Sequence, residues 1–190
     1  MEFGLAGKYA FVGGGGRGIG KAIARELAHE GADVVIASRT KDQLEQTARE
    51  LEDETGRRII PMVLDVTQRD QVDRVIADTA QKLGGLHIVV NSASLPGGSP
   101  SAIGAIDNLN EDDLISDFDV KYVEALRCAR AAIPFLKEQG WGRIINISGG
   151  NARNAGNLSG GARNASLVHL TKTLSNQLGR FGITVNCIHP

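Results

Sequence analysis

The 190-residue chain has two cysteines, a formal net charge of −1, two tyrosines, and no internal repeat or low-complexity tract. Cys128 and Cys187 show no metal-ligand spacing and make a poor disulfide framework, so they read as packing residues in a reducing compartment. With 21 basic against 22 acidic residues, no cationic excess exists to neutralise phosphates. That argues against nucleic acid or an acidic membrane surface as a general partner and leaves small molecules. No window approaches the roughly 18 apolar residues of a membrane span, and the N-terminus carries no basic run followed by a long apolar stretch. The expectation is a soluble, cytoplasmic chain whose residues 1–190 form one domain.

Glycine, at 24 residues, is plentiful, and apolar residues alternate between two periodicities. Short β-rich runs at 8–12, 33–38, 59–66, 86–91, 143–148 and 183–188 are separated by segments of helical spacing. Ile19, Ile23 and Leu27 mark one helix stripe; Val72, Ile76, Ala80 and Leu83 mark another. Near-continuous apolar strands with intervening helices predict an α/β fold, a doubly wound parallel sheet in three αβα layers, with ligands at the carboxyl ends of the strands. Residues 91–110, polar and rich in Gly and Pro, predict a long loop over such a site.

The first post-strand loop is FVGGGGRGIGKAIA, residues 11–24. Gly14, Gly18 and Gly20 allow a tight turn and close approach of the backbone to a pyrophosphate, which the following helix N-terminus stabilises. Gly15 to Lys21 also match the start of a nucleoside-triphosphate loop, but Ala22 stands where a Ser or Thr hydroxyl must hold magnesium, which sets that reading aside. The second strand ends in Ser38-Arg39, with no carboxylate to grip the ribose hydroxyls of NAD. Arg39, aided by Arg17, suits the 2′-phosphate of NADP, unless both are solvated surface charges.

Taken in order, Gly14-x-x-x-Gly18-Ile19-Gly20, Leu64-Asp65-Val66, Asn91-Ser92-Ala93-Ser94, GRIINIS and ITVNCIHP resemble the short-chain dehydrogenase/reductase family across essentially the whole chain. The resemblance implies a Rossmann domain that transfers hydride between NADP(H) and a carbonyl or alcohol. It implies that Asp65 and Val66 contact the adenine, and that Asn91 and Ala93 line the nicotinamide side. Asp65 also suits capping of the next helix, and Asn91 the tying of adjacent strands. The resemblance implies a continuation past His189-Pro190 into a substrate-covering helix and a last strand, so the expectation is a truncated or partly represented chain. Helices at 111–138 and 159–180 would pair with their copies in a homo-oligomer.

The departures from the family pattern are chemical. Gly160 takes the position of the family's acid/base Tyr, Asn164 that of the Lys four residues later, and Gly149 that of the Ser, with Ser148 beside it. Leu114, Phe118, Lys121, Ala125, Cys128 and Ala132 form one face of a helix, and Lys121 stands where the family has Asn. Lysine and asparagine look exchanged. Lys121, hydrogen-bonded to the amide of Asn164, would act as general acid, with Ser148 donating to the substrate. Alternatively Lys121 snorkels its charge into solvent. The same fold without hydride chemistry would be an NAD(P)-binding sensor or scaffold. Arg153 and Arg163 suit either an anionic substrate or a solvated helix flank, and no metal site is expected.

Overall fold

The computed structural model describes residues 3–95 and 97–190. Six parallel strands, β1 (Tyr9–Gly13), β2 (Asp33–Ser38), β3 (Ile59–Val63), β4 (Ile88–Asn91), β5 (Gly142–Ile147) and β6 (Ile183–Ile188), make one sheet in the order β3-β2-β1-β4-β5-β6. The order reverses between β1 and β4, which opens a crevice at their carboxyl ends, where doubly wound sheets bind ligands. The strands are shorter than the apolar runs. Leu64-Asp65-Val66 falls beyond β3 and is thereby freed to line the crevice.

Side chains alternate across the sheet, so each central strand feeds two cores. Ala10, Val12, Val34, Ile36, Ile88 and Val90 face α1 (Gly18–His29) and α2 (Lys41–Thr55). Phe11, Val35, Ala37, Val89 and Ile144 face α3 (Arg69–Leu83), α5 (Glu124–Glu138) and α6 (Leu158–Leu178). The expected stripe on α3 is buried as read. On α1 the fully buried residues are Gly20, Ala24 and Ala28; of the expected stripe, Ile23 and Leu27 pack partly buried against the core, while Ile19 remains half exposed at the crevice. Small residues at a spacing of four let α1 lie close to the sheet and bring its N-terminus over the end of β1.

The expected continuous helix over 111–138 is interrupted. α4 (Glu111–Phe118) passes into a π-helical turn, Asp119–Val123, before α5 begins. The extra residue rotates the buried face, so Asp117, Lys121 and Glu124 point inward with Ala125, Cys128 and Ala132, whereas Leu114 and Phe118 are only partly buried. Such bulges are frequent at functional sites. The loop after β4 carries two short 3₁₀ turns, Pro100–Ala102 and Ile106–Asn108; Pro96, within the predicted loop, lies outside the described residues. α4 is capped by Asn110, whose side chain accepts the N–H of Asp113, and three acids in its first turn complement the helix dipole.

Candidate active site

A cleft of about 980 Å³ runs along the carboxyl ends of β1 to β5. Its outer half is the glycine loop. Gly14 has φ +76°, and a Cβ there would lie 2.9 Å from the backbone of Ser92 and Ala93. A Cβ on Gly20 would lie 2.2 Å from the Gly14 carbonyl. Only glycine permits these approaches, which press the loop onto the β4 loop and the helix start onto the turn. The hydroxyl of Thr47 pins the loop from behind, donating to the Gly16 carbonyl at 2.9 Å.

Ser38, Arg39, Thr40 and Gln43 line the cleft beside Arg17 and Gly18. Ser38 Oγ is buried without a hydrogen-bond partner, a cost that a ligand oxygen would relieve. The sterically closed glycine turn, the unsatisfied hydroxyl and two nearby guanidinium groups fit a dinucleotide. Asp65 lines the cleft without capping α3: its Oδ1 accepts from the N–H and hydroxyl of Thr67 at 3.0 and 2.8 Å, forming a turn ahead of the helix. Val66 and Ala93 also line it.

Asn91 stands behind the cleft wall. Its Nδ2 donates to Asn146 Oδ1 at 2.8 Å, and Asn146 donates in turn to Thr171 on α6 at 2.8 Å, tying β4, β5 and α6 together. Of the two roles the sequence left open, the strand tie is the one this geometry displays.

The inner half of the cleft contains Asp117, Lys121 and Ser148. Lys121 is only 6 % exposed, so it does not snorkel into solvent. Burial pushes its ammonium down to about 8, opposed by nearby Glu124 and reinforced by Arg163. Among the described residues no hydrogen bond joins Lys121 to Asn164, contrary to expectation. The Asn164 amide instead fills the space beside Gly149, where a Cβ would lie 2.8 Å from its Nδ2. Ser148 also differs from the expected donor. Its hydroxyl is donated to the Asn164 carbonyl at 3.2 Å, which leaves lone pairs for the cleft.

Gly160 is likewise enclosed by amides: a Cβ would lie 2.8 Å from both Asn151 Nδ2 and Asn157 Oδ1, the latter accepting the Gly160 N–H as the cap of α6. Neither tyrosine lines the cleft; Tyr122 packs on Phe118, and Tyr9 begins β1 at the far end of the sheet.

Sequence reasoning missed Asp117. It is 2 % exposed and accepts from the Ser99 N–H at 2.9 Å, the Ser99 hydroxyl at 2.8 Å and the Ser159 hydroxyl at 2.6 Å. Burial pushes its carboxyl up, but these donors and the Arg163 guanidinium more than offset that, and the net effect is downward. Arg163 is neither solvated nor on the cleft wall: it is buried, 4.0 Å from Asp117, and donates to the Leu95 carbonyl at 3.3 Å. Burial lowers its own proton affinity despite Asp117. Asp117 and Arg163 together clamp the loop after β4 between α4 and α6. Arg153 is exposed, and no cluster of metal-ligating side chains occurs among the described residues.

The family model for short chain dehydrogenases matches residues 8–190. The chain belongs to the short-chain dehydrogenase/reductase family. It is 36 % identical over 189 residues to an uncharacterised oxidoreductase of Staphylococcus aureus strain MRSA252, covering 98 % of this chain and 78 % of that protein. L-sorbose reductase from Gluconobacter frateurii, solved with NADPH and L-sorbose, superposes with a TM-score of 0.93 at 31 % identity, over all of this chain and 71 % of the reductase. An NAD⁺-bound xylitol dehydrogenase superposes with a TM-score of 0.91 at 25 % identity, over 98 % of this chain and 71 % of that one. The family's fold is thus the Rossmann nucleotide-binding fold found here. No helix among the described residues is long and apolar enough to cross a membrane.

Proposed function

We propose that this family member is an NADP(H)-dependent oxidoreductase that interconverts a small carbonyl compound and its alcohol, with Lys121 as the acid/base group. The observation that carries the reading is the buried ammonium of Lys121 on the cleft wall, in the π-helical turn, with Ser148 lining the same half of the cleft. NADP(H) rather than NAD is supported by Ser38, Arg39 and Arg17, and by the NADPH of the sorbose reductase.

When bound, the reduced cofactor supplies the hydride that turns carbonyl into alcohol. Lys121 Nζ donates a proton to the oxygen that becomes negative, and takes it back in the oxidation direction. Ser148 orients the substrate by accepting from a neighbouring hydroxyl, since its own proton is held by the Asn164 carbonyl. Asn164 is therefore a support for Ser148 and a filler beside Gly149, and acts on substrate only through Ser148. A proton affinity near 8 lets Lys121 arrive protonated at neutral pH and release the proton readily, so reduction is expected to slow as pH rises through about 8. Two free cysteines suit a reducing cytoplasmic setting. The exposed Ile115, Leu126 and Val168 on α4, α5 and α6 suit a homo-oligomer contact.

A second reading, an NAD(P)-binding sensor or scaffold without turnover, is favoured by one observation: amides of Asn151, Asn157 and Asn164 occupy the space around Gly160 and Gly149. Titration of NADPH and NADH, followed by cofactor absorbance with a panel of ketones and aldehydes, separates the two. Oxidoreductase activity requires turnover that falls about 100- to 10,000-fold in Lys121→Met with cofactor affinity retained. Binding with no turnover on any carbonyl supports the sensor.

A further inference from the structure

We infer that the substrate of this cleft is an uncharged polyhydroxylated carbonyl compound, a small sugar or hydroxyketone with at least two hydroxyls, and that Ser99 and Ser148 select it. This deepens the reading of the cleft as a carbonyl/alcohol site and rests on it. Both serines line the cleft, Ser99 from the loop after β4 and Ser148 from the end of β5. The proton of each is already committed. Ser99 Oγ donates to Asp117 Oδ1 at 2.8 Å, and Ser148 Oγ donates to the Asn164 carbonyl at 3.2 Å. Neither direction can reverse, because an ionised carboxylate and a backbone carbonyl only accept. The Asp117 carboxylate is itself held by the Ser99 N–H at 2.9 Å and the Ser159 hydroxyl at 2.6 Å, and Ser159 and Asn164 both belong to α6. One helix thus backs both hydroxyls.

Among the described residues no side chain or N–H donates to either serine oxygen, so a ligand that excludes water from them must bring the protons. A hydroxyl carries one proton. Two such acceptors therefore require two hydroxyls in addition to the carbonyl oxygen that meets Lys121. An acyl chain or an aromatic ring brings no donor and would leave both oxygens unsatisfied, the mismatch against which hydrogen-bonding sites discriminate most strongly. A carboxylate or phosphate brings acceptors only. A cationic amine brings donors but shares the cleft with the Lys121 ammonium, a like charge. Ser92 and Ser116 also line the cleft, but their hydroxyls have no such commitment; free to donate or accept, they select for neither.

The first test needs no variant. With NADPH, kcat/KM for acetone, hydroxyacetone and dihydroxyacetone, which differ by one hydroxyl at each step, is expected to rise about 10-fold per step. Pyruvate and 2-hexanone should lie at or below hydroxyacetone. In Ser99→Ala, which keeps the N–H that holds Asp117, the span from acetone to dihydroxyacetone should shrink about 10-fold, and Ser99→Thr should restore it. Ser148→Ala should shrink the same span. Saturation-transfer NMR of 2-propanol, 1,2-propanediol and glycerol on the NADPH-loaded protein should show the same order without requiring chemistry. A flat ketone series, pyruvate or 2-hexanone equal to dihydroxyacetone, or a span unaltered in Ser99→Ala would overturn the inference. If the alcohols bind in that order and no ketone turns over, the oxidoreductase reading fails alone; if ketones turn over without regard to their hydroxyls, this inference fails alone.

Discussion

On the proposed NADP(H) reading, Ser38 is the side chain at a strand end that would decide between two cofactors. It lines the cleft at the carboxyl end of β2 with its hydroxyl buried and unpaired, and Arg39 follows it. An Asp at this position would place a carboxylate where a ribose 2′-phosphate is expected and would accept from the ribose hydroxyls of NADH. Ser38→Asp is therefore expected to weaken NADPH binding about 10- to 100-fold, the worth of one charge-assisted hydrogen bond, and to strengthen NADH binding. Fluorescence titration with both cofactors checks this, and equal effects on the two would count against the assignment. Such positions were legible because their requirement is written in residue type. Gly14 and Gly20 could be nothing else, and the missing carboxylate at Ser38 is visible without coordinates. Asp117 and Glu124 were not legible, since an acid on a helix ordinarily faces water and only tertiary donors or a neighbouring cation justify its burial.

At the scale of elements, the interruption between α4 and α5 matters most. A helical stripe read every three or four residues does not register one extra residue, so the sequence placed Leu114 and Phe118 where the structure places Asp117. The result is a buried acid between the β4 loop and α6, and its charge holds both. Asp117→Asn leaves Arg163 buried beside a neutral amide, a loss of about 3 kcal/mol. It should also raise hydrogen exchange in residues 97–103. The pH dependence has a definite sign. Asp117 has a depressed proton affinity in the folded chain, so its contribution is present above the unfolded value of about 3.9 and is lost as pH falls through the folded value. Denaturant midpoints between pH 5 and 3 should thus fall more steeply for the wild type than for Asp117→Asn.

Across the whole molecule, the sheet separates two chemically distinct ends. The carboxyl ends carry the cleft, whereas the amino ends carry an aromatic floor under β1, β4 and β5. There His87 Nδ1 accepts the N–H of Tyr9 at 3.2 Å, and its ring meets Trp141 edge-on at 6.0 Å. Lys8 and Arg143 lie over the same Trp141 ring at 4.7 and 4.0 Å. A protonated His87 would lose its acceptor for Tyr9 and add a cation beside Lys8, and burial followed by Lys8 lowers its proton affinity accordingly. The unfolded chain then takes up this proton first. Stability contributed by neutral His87 is complete above about pH 6.5 and drains away as pH falls toward the lowered folded value. His87→Gln retains an acceptor for Tyr9 and cannot titrate. Its urea midpoint should change less between pH 7 and 5 than that of the wild type, while NADPH affinity at pH 7, governed at the opposite end of the strands, stays the same. A wild-type slope retained in His87→Gln would move the acid sensitivity to another group.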